Sequence, residues 1–232
     1  MIRIFGDSIT AGTPGAAFCD YLKPTITFEQ YGVGGDTVAG LLRRVEKHRI
    51  DAHDLVILEI GTNDIMLPHL KSRSSSWKRV VQGIEASGRR AAGSKEEFIA
   101  GYEKLLAIAK AKRTIVVSIP CIGEDLHSNL NAQVDSYNQS LRLLAEKHDC
   151  LYADFNAWQK EEIKTGSTSE NKYLIGNEAS AMVWDVVLTK YFKMTDRKSR
   201  NRKLSTTVDG VHLNSHGARG LSKMLLEIIR NA

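Results

Sequence analysis

Residues 55–64 read Leu-Val-Ile-Leu-Glu-Ile-Gly-Thr-Asn-Asp, an almost unbroken apolar run that stops at a glycine and three polar residues. A short apolar run of this kind is typical of a strand that is covered on both faces, as in a parallel sheet between two helical layers. In open α/β sheets, ligands bind at the carboxyl ends of the strands. The polar residues that follow the run therefore lie where the chemistry of such a fold is expected.

The alternation of strand and helix patterns extends along the 232 residues. Short segments rich in β-branched and aromatic residues predict strands at 2–5, 25–31, 55–60, 114–119 and 150–155. Apolar residues at helical spacing predict helices at 37–49, 96–112, 131–148 and about 215–230. Strands joined in this way pair in parallel through right-handed crossovers. The sequence predicts an α/β fold with a doubly wound, five-stranded parallel sheet and helices on both faces.

Two segments interrupt this rhythm, and we interpret both as insertions in a single domain that spans 1–232. Residues 66–95 are rich in serine, glycine and basic residues, and residues 159–205 combine a polar stretch, an amphipathic helix and a basic run. Long connections in compact domains are usually lids or disordered segments.

The two segments are anchored beside polar residues that could carry chemistry. The first begins just after Asn63, and the second ends just before Asp209. We therefore expect them to form a partial cap, in which Trp77, Trp184 and residues 186–188 either line an apolar groove or simply pack.

Composition sets the class of protein. The chain is 42% hydrophobic and 25% charged, as in ordinary soluble domains, and no apolar run approaches the ~20 residues that span a bilayer. The N-terminus lacks a signal-peptide pattern, so we expect a cytoplasmic protein, with a secreted mature form as the alternative.

Three cysteines without C-x-x-C spacing indicate neither a disulfide framework nor a zinc site, and Cys121 and Cys150 are predicted to be buried thiols.

The net charge of +5 is unevenly distributed. Two basic clusters comprise Lys71, Arg73, Lys78, Arg79, Arg89, Arg90 and Lys95, and Lys190, Lys193, Arg197, Lys198, Arg200, Arg202 and Lys203. Such clusters are usually solvated surface, and the sharper interpretation is an anionic partner. Aromatic residues are sparse among them, so we expect no nucleic-acid partner.

Four polar clusters fall at strand ends or before the last helix. They are Gly6-Asp7-Ser8, residues 32–37 (Gly-Val-Gly-Gly-Asp-Thr), Gly61-Thr62-Asn63-Asp64 and Asp209-Gly210-Val211-His212. Together they supply a hydroxyl, loop amides, a carboxamide and an acid–imidazole pair, which is the inventory for acyl transfer. Each alone has a plainer explanation, as a helix cap, a tight turn or a phosphate cradle.

In this order the clusters resemble the sequence blocks of the SGNH (GDSL-type) hydrolases, a superfamily of serine esterases and lipases. The matching blocks are Phe5-Gly6-Asp7-Ser8-Ile9-Thr10, Gly34-Gly35-Asp36-Thr37, Gly61-Thr62-Asn63-Asp64 and Asp209-Gly210-Val211-His212-Leu213-Asn214, with Tyr137-Asn138 between the last two. The resemblance implies a flavodoxin-like fold and a small-molecule, lipid or glycan ester as substrate, with no cofactor and no metal ion.

The resemblance also implies a role for each site residue. Ser8 is the nucleophile, His212 the base and Asp209 the acid that orients it. The oxyanion hole is formed by Ser8, Gly35 and Asn63, with Gly34 as the alternative to Gly35. Elementary chemistry agrees, because a serine hydroxyl needs a base to take its proton and the base needs a carboxylate to hold its tautomer.

Two other function classes remain open from the sequence. One is a metal-assisted phosphoesterase with Asp7, Asn63, Asp209 and His212 as ligands, and the other is a non-catalytic binding module on the same fold. His212 and His216 stand four residues apart, as in helical metal sites, but the glutamate of H-E-x-x-H is missing. Asp7 is expected to tie loops together.

Overall fold

In the computed structural model of the chain, residues 1–48, 50–109, 113–166 and 172–231 are described. The strands are β1 (Ile2–Gly6), β2 (Phe28–Gly32), β3 (Leu55–Glu59), β4 (Arg113–Val117) and β5 (Leu151–Ala153). They form one sheet in the order β2-β1-β3-β4-β5, and every neighbouring pair is parallel. The predicted five-stranded, doubly wound parallel sheet is confirmed.

Helices connect and flank these strands. They are α1 (Ser8–Ala11), α2 (Phe18–Leu22), α3 (Val38–Val45), α4 (Thr62–Arg73), α5 (Ser75–Ala86), α6 (Lys95–Ala109), α7 (Asn129–Lys147), α8 (Phe155–Thr165), α9 (Ala179–Lys190), α10 (Thr195–Asn201) and α11 (Ser215–Asn231).

The sheet separates two apolar layers because successive side chains of a strand point to opposite faces. On β3, Val56 and Leu58 pack against α3, α6 and α7, whereas Leu55 and Ile57 pack against α2 and α11. All five residues of β3 are buried. This explains why the central strand reads as a continuous apolar run.

Several predicted boundaries are shifted by local hydrogen bonds. β2 starts at Phe28 rather than residue 25, because the backbone N–H groups of Thr25 and Ile26 donate to the Leu22 carbonyl and extend the turn after α2. β5 stops at Ala153, because the next residue caps α8. The predicted ends of α3 and α6, at residues 49 and 112, lie outside the described residues.

The two segments interpreted as insertions are largely helical where they are described. Residues 66–95 hold the rest of α4 and all of α5, and residues 159–205 hold the end of α8 together with α9 and α10. Residues 167–171 lie outside the described part of the chain. Of the helices described, none combines the length and apolar character needed to cross a membrane.

The cysteines are free thiols. Cys19 and Cys121 are buried, whereas Cys150 is half-buried, so the prediction of full burial is wrong for Cys150. Its position just before the short edge strand β5 leaves one side of the residue uncovered.

Candidate active site

Ser8 stands at the sharp turn from β1 into α1. A side chain at Gly6, the last residue of β1, would collide with the Thr10 hydroxyl, so only glycine allows the chain to turn here. Asp7 caps α1 by accepting the Ile9 N–H at 2.9 Å. Ser8 is therefore fixed at the first position of α1, at the carboxyl edge of the sheet.

Asp209, His212 and Ser8 form a continuous hydrogen-bonded chain. Asp209 Oδ2 lies 2.8 Å from His212 Nδ1, and His212 Nε2 lies 3.1 Å from Ser8 Oγ. The other carboxylate oxygen of Asp209 accepts the backbone N–H groups of Val211 at 3.0 Å and His212 at 2.9 Å. Gly210, with φ +90°, makes this tight loop possible. The fold thus brings Ser8 into contact with His212, which lies 204 positions later in the sequence.

Asp209 and His212 stabilise opposite charges on each other. Burial opposes ionisation of the Asp209 carboxyl, but the imidazole and two backbone N–H donors outweigh it and hold the pKa of Asp209 below its ordinary value. Burial likewise opposes the imidazolium, yet attraction to Asp209 raises the pKa of His212 above 6.5. Asp209 therefore stabilises His212 as an imidazolium once Nε2 has accepted a proton.

Gly35 and Asn63 face the same pocket as the Ser8 hydroxyl. Gly35 has φ +71°, which a residue with a side chain would adopt only under strain. Among the described residues, the backbone N–H groups of Ser8 and Gly35 have no hydrogen-bond acceptor. The Asn63 amide donates to the Asp36 carbonyl at 2.9 Å and, over a longer 3.3 Å, to Asp7 Oδ2.

Two further buried carboxyls, those of Asp64 and Asp7, connect the segments that carry the site residues. Asp64 accepts the backbone N–H groups of Val38 and Ala92, and so ties α3 and the segment before α6 to the start of α4. Burial raises the pKa of Asp64 to about 7, and burial likewise raises the pKa of Asp7 to about 7. Asp7 contacts Asn63, which confirms the expectation that it ties loops together.

Glu124 is a supporting residue that the sequence analysis missed. Its buried carboxylate accepts hydrogen bonds from the backbone of Ser205, Thr206 and Thr207, and from the hydroxyls of both threonines. These bonds fix the segment that leads into Asp209. The only signal in the sequence is an acidic residue soon after an apolar strand, which by itself does not identify its partners.

A pocket of about 170 Å³ opens at Ser8 and His212. Beyond the site residues, its walls are mostly apolar and come from both segments interpreted as insertions: Met66, Leu67, Leu70, Trp77, Val80, Ile84, Met182 and Val186. Trp77 is buried and donates to the Gly176 carbonyl at 3.0 Å, so it also joins the two segments. Trp184 and residues 187–188 do not line this pocket, and Trp184 is exposed.

Other predicted residues take structural positions. Asn138 donates to and accepts from the backbone of Ile119, both at 2.8 Å, and so holds the segment after β4. His216 lies 2.7 Å from Glu162 on the surface, whereas His212 points to Ser8, so the two imidazoles do not share a ligand. Within the described ranges, no three His, Cys, Asp or Glu side chains converge as a metal ion would require.

Comparison with known families agrees with this geometry. The sequence profile described as the GDSL-like Lipase/Acylhydrolase family matches residues 4–219, which is nearly the whole chain. The chain belongs to this family. It is thus a hydrolase of the GDSL type, a family whose general reaction is ester hydrolysis. No curated protein sequence matches it.

Solved structures of a lipolytic protein and an esterase share its fold. A lipolytic G-D-S-L family protein from Veillonella parvula is 21% identical, with a TM-score of 0.64 and coverage of 100% of this chain and 98% of that one. The acetylxylan esterase Axe2 from Geobacillus stearothermophilus is 19% identical, with a TM-score of 0.63 and coverage of 98% and 93%. At these identities the likeness concerns the fold.

Proposed function

We propose that this GDSL-family chain hydrolyses carboxylic esters through an acyl-enzyme formed on Ser8. The observation that carries the proposal is the buried chain from Asp209 through His212 to Ser8, with contacts of 2.8 Å and 3.1 Å. A serine hydroxyl becomes a useful nucleophile when a neighbouring base takes its proton as it attacks. His212 is in hydrogen-bonding contact with that hydroxyl and is held in one tautomer by Asp209.

The reaction follows from this geometry in two halves. Ser8 Oγ forms a bond to the ester carbonyl carbon while its proton moves to His212 Nε2. The C–O bond to the alcohol then breaks, and His212 returns the proton to the departing oxygen. In the second half, water attacks the acyl-enzyme, His212 takes its proton, and Ser8 Oγ leaves with that proton as the acid is released.

The backbone N–H groups of Ser8 and Gly35 and the amide of Asn63 would stabilise the oxyanion in each half. The two backbone donors are unoccupied by protein acceptors among the described residues, so they can donate to substrate without breaking an existing bond. The longer hydrogen bond of the Asn63 amide nitrogen, at 3.3 Å, is to Asp7 Oδ2. In the reaction this N–H would turn from Asp7 and donate to the oxyanion. Each such donor typically contributes ~10²–10³ to turnover.

The two alternative function classes fit the geometry less well. Both carboxylate oxygens of Asp209 already accept hydrogen bonds, and the free nitrogen of His212 faces Ser8, so neither side chain offers a ligand atom to a metal ion. A binding module has no need of a base held against its hydroxyl. We therefore favour the serine esterase.

The pocket walls support an ester with an apolar acyl group longer than acetyl. Apart from Thr13, the side chains that line the pocket beyond the site residues are aliphatic, thioether or indole, and α9 contributes Met182 and Val186. An apolar chain gains about 0.8 kcal/mol for each buried methylene. The segments 66–95 and 159–205 would thus act together as the partial cap that selects the acyl group.

The test is a series of p-nitrophenyl esters from acetate to octanoate, assayed with and without EDTA. We expect kcat/KM to rise by up to about fourfold per methylene while the pocket still has room, and EDTA to leave the rate unchanged. Met182→Ala should flatten this rise, whereas Leu143→Ala, a matched change of an exposed residue on α7, should not. A rate abolished by EDTA would contradict the mechanism, and a preference for acetate would contradict the acyl pocket.

A further inference from the structure

The outer surface of α9 and the residues that follow it carry an unusual amount of exposed apolar area. Val183 is 60% exposed, Trp184 65%, Tyr191 70% and Phe192 65%. Among the described residues, the other exposed large hydrophobic side chains are Met1, Leu143 and Leu151. Contiguous exposed apolar surface of this kind usually marks a contact with another molecule.

Helical spacing gathers these residues on one side. Val183, Val187 and Tyr191 are four positions apart and lie along one stripe, with Trp184 next to it and Phe192 just beyond the helix end. We call these five residues the α9 face.

The α9 face borders the mouth of the active-site pocket. The inward side of α9 is formed by Asp185 and Thr189, which are buried, and Met182 and Val186 line the pocket between this inward side and Val183. A surface seated on the α9 face would therefore lie beside the entrance that an ester must use.

Positive charge adjoins this apolar surface at the C-terminal end of α9. The exposed cations near it are Lys190, Lys193, Arg197 and Arg200, and none of them forms an ion pair with a described carboxylate. Two carboxylates lie in the same stretch: Asp185 is buried and paired with Lys198 and Arg202, and Asp196 is exposed and accepts the Ser215 N–H. Lys190 Nζ also lies 5.7 Å from the centre of the Tyr191 ring.

We propose that the α9 face docks on an anionic lipid surface. Tryptophan and tyrosine are favoured where an apolar region meets a wet one, and lysine can bury its stem while its ammonium group stays among negatively charged headgroups. Anionic lipids add about 1 kcal/mol for each lysine or arginine near the surface. A second copy of the chain is a poorer occupant, because a two-fold contact through this face would bring the positive charges of Lys190 and Lys193 from both copies into one interface.

Vesicle flotation tests the proposal without relying on hydrolysis, because Ser8→Ala serves as the parent protein. We expect this protein to float with vesicles of phosphatidylcholine mixed with phosphatidylglycerol, and much less with phosphatidylcholine alone. W184S/F192S and K190Q/K193Q should each weaken binding about tenfold or more, whereas the matched control L143S should not. With Ser8 intact, W184S/F192S should turn over a soluble ester at the wild-type rate.

Three results would overturn the docking proposal. They are no flotation of the parent with anionic vesicles, flotation that W184S/F192S leaves unchanged, and a parent dimer in sedimentation that W184S/F192S converts to monomer. The last would assign the α9 face to a subunit contact. Since flotation needs no turnover, a failed esterase assay with intact flotation would reject only the proposed function.

Discussion

At the scale of single residues, the candidate site depends on two buried side chains that would be unfavourable alone. Side chains of Asp209 and His212 are 1% and 3% exposed, so neither charge is solvated by water. Each charge is stabilised by the other, and the Asp209 carboxylate also accepts two backbone N–H groups, which is how a buried pair is tolerated. Removing one partner is therefore expected to affect the reaction far more than removing an exposed side chain.

Substitution of the pair should show unequal losses. His212→Ala removes the base that contacts Ser8, and on the scale set by subtilisin we expect kcat to fall roughly 10⁶-fold. Asp209→Asn keeps most of the volume but loses the charge that stabilises the imidazolium, so kcat should fall roughly 10⁴-fold. The measurement is turnover of a soluble ester, with circular dichroism to verify folding.

His216→Ala is the matched control for this pair, because His216 contacts Glu162 on the surface rather than Ser8. Its turnover should stay near that of the wild type. Near-normal turnover in His212→Ala would remove His212 from the mechanism.

At the scale of elements, the loop that carries Asp209 and His212 is positioned by a carboxylate from elsewhere in the chain. Glu124 follows β4 and binds residues 205–207, about 80 positions later, through five hydrogen bonds. The isolated bridge between Thr207 and Leu213 then closes the loop on itself. Asp209 and His212 are thus held in place by Glu124, which follows β4, as well as by the start of α11.

Glu124→Ala should destabilise the fold and slow the reaction together. It leaves several buried donors without an acceptor, each worth about 1–3 kcal/mol, so we expect the free energy of unfolding to fall by about 3 kcal/mol or more. The 205–207 segment should loosen, and kcat should fall even where the variant remains folded. Urea unfolding and ester turnover measure the two effects.

Glu162→Gln is the control for Glu124, because Glu162 pairs with His216 at the surface. It should change the free energy of unfolding by less than about 1 kcal/mol. Equal effects of the two substitutions would argue against Glu124 as the support of this loop.

How much the sequence predicted differs between elements for physical reasons. β3 and β4 were predictable because strands buried on both faces read as apolar runs. Polar clusters at strand ends and before the last helix pointed to Ser8, Asn63, Asp209 and His212, but the roles expected of these residues came from the resemblance to the SGNH hydrolases. α8 was missed because Asp154 caps a helix where the apolar pattern suggested a continuing strand.

The support of the site could not be predicted in the same way. Glu124 and Asp64 take their roles from backbone N–H groups far away in sequence, and no local pattern specifies such partners. That both segments border the pocket was anticipated from where they begin and end, but the side chains that line the pocket follow from the packing of α4, α5 and α9.

At the scale of the whole molecule, buried carboxyls in the core should make stability depend on pH. Burial raises the pKa values of Asp7 and Asp64 from 3.8 to about 7, so the folded state binds protons more tightly than the unfolded state. His212 acts in the same direction, because its pKa is raised above 6.5. For these groups, stability is greatest at low pH and is lost as pH rises through the folded pKa.

The melting temperature should therefore decrease as pH rises from about 5 to about 7.5. Each fully shifted group contributes at most about 1.4 kcal/mol per pH unit across that window. Differential scanning calorimetry measures the slope, and Asp64→Asn should make it shallower because one of the titrating groups is removed. A melting temperature that rose steadily over this range would contradict these pKa shifts.

The most direct test of the central claim is covalent labelling of the nucleophile. The protein is incubated with a fluorophosphonate, digested, and the modified residue located by mass spectrometry. The proposed site predicts one modified serine, Ser8, with labelling lost in Ser8→Ala and strongly slowed in His212→Ala, because the hydroxyl reacts only when the imidazole takes its proton. Modification of a different serine, or equally fast labelling of Ser8 without His212, would contradict the account.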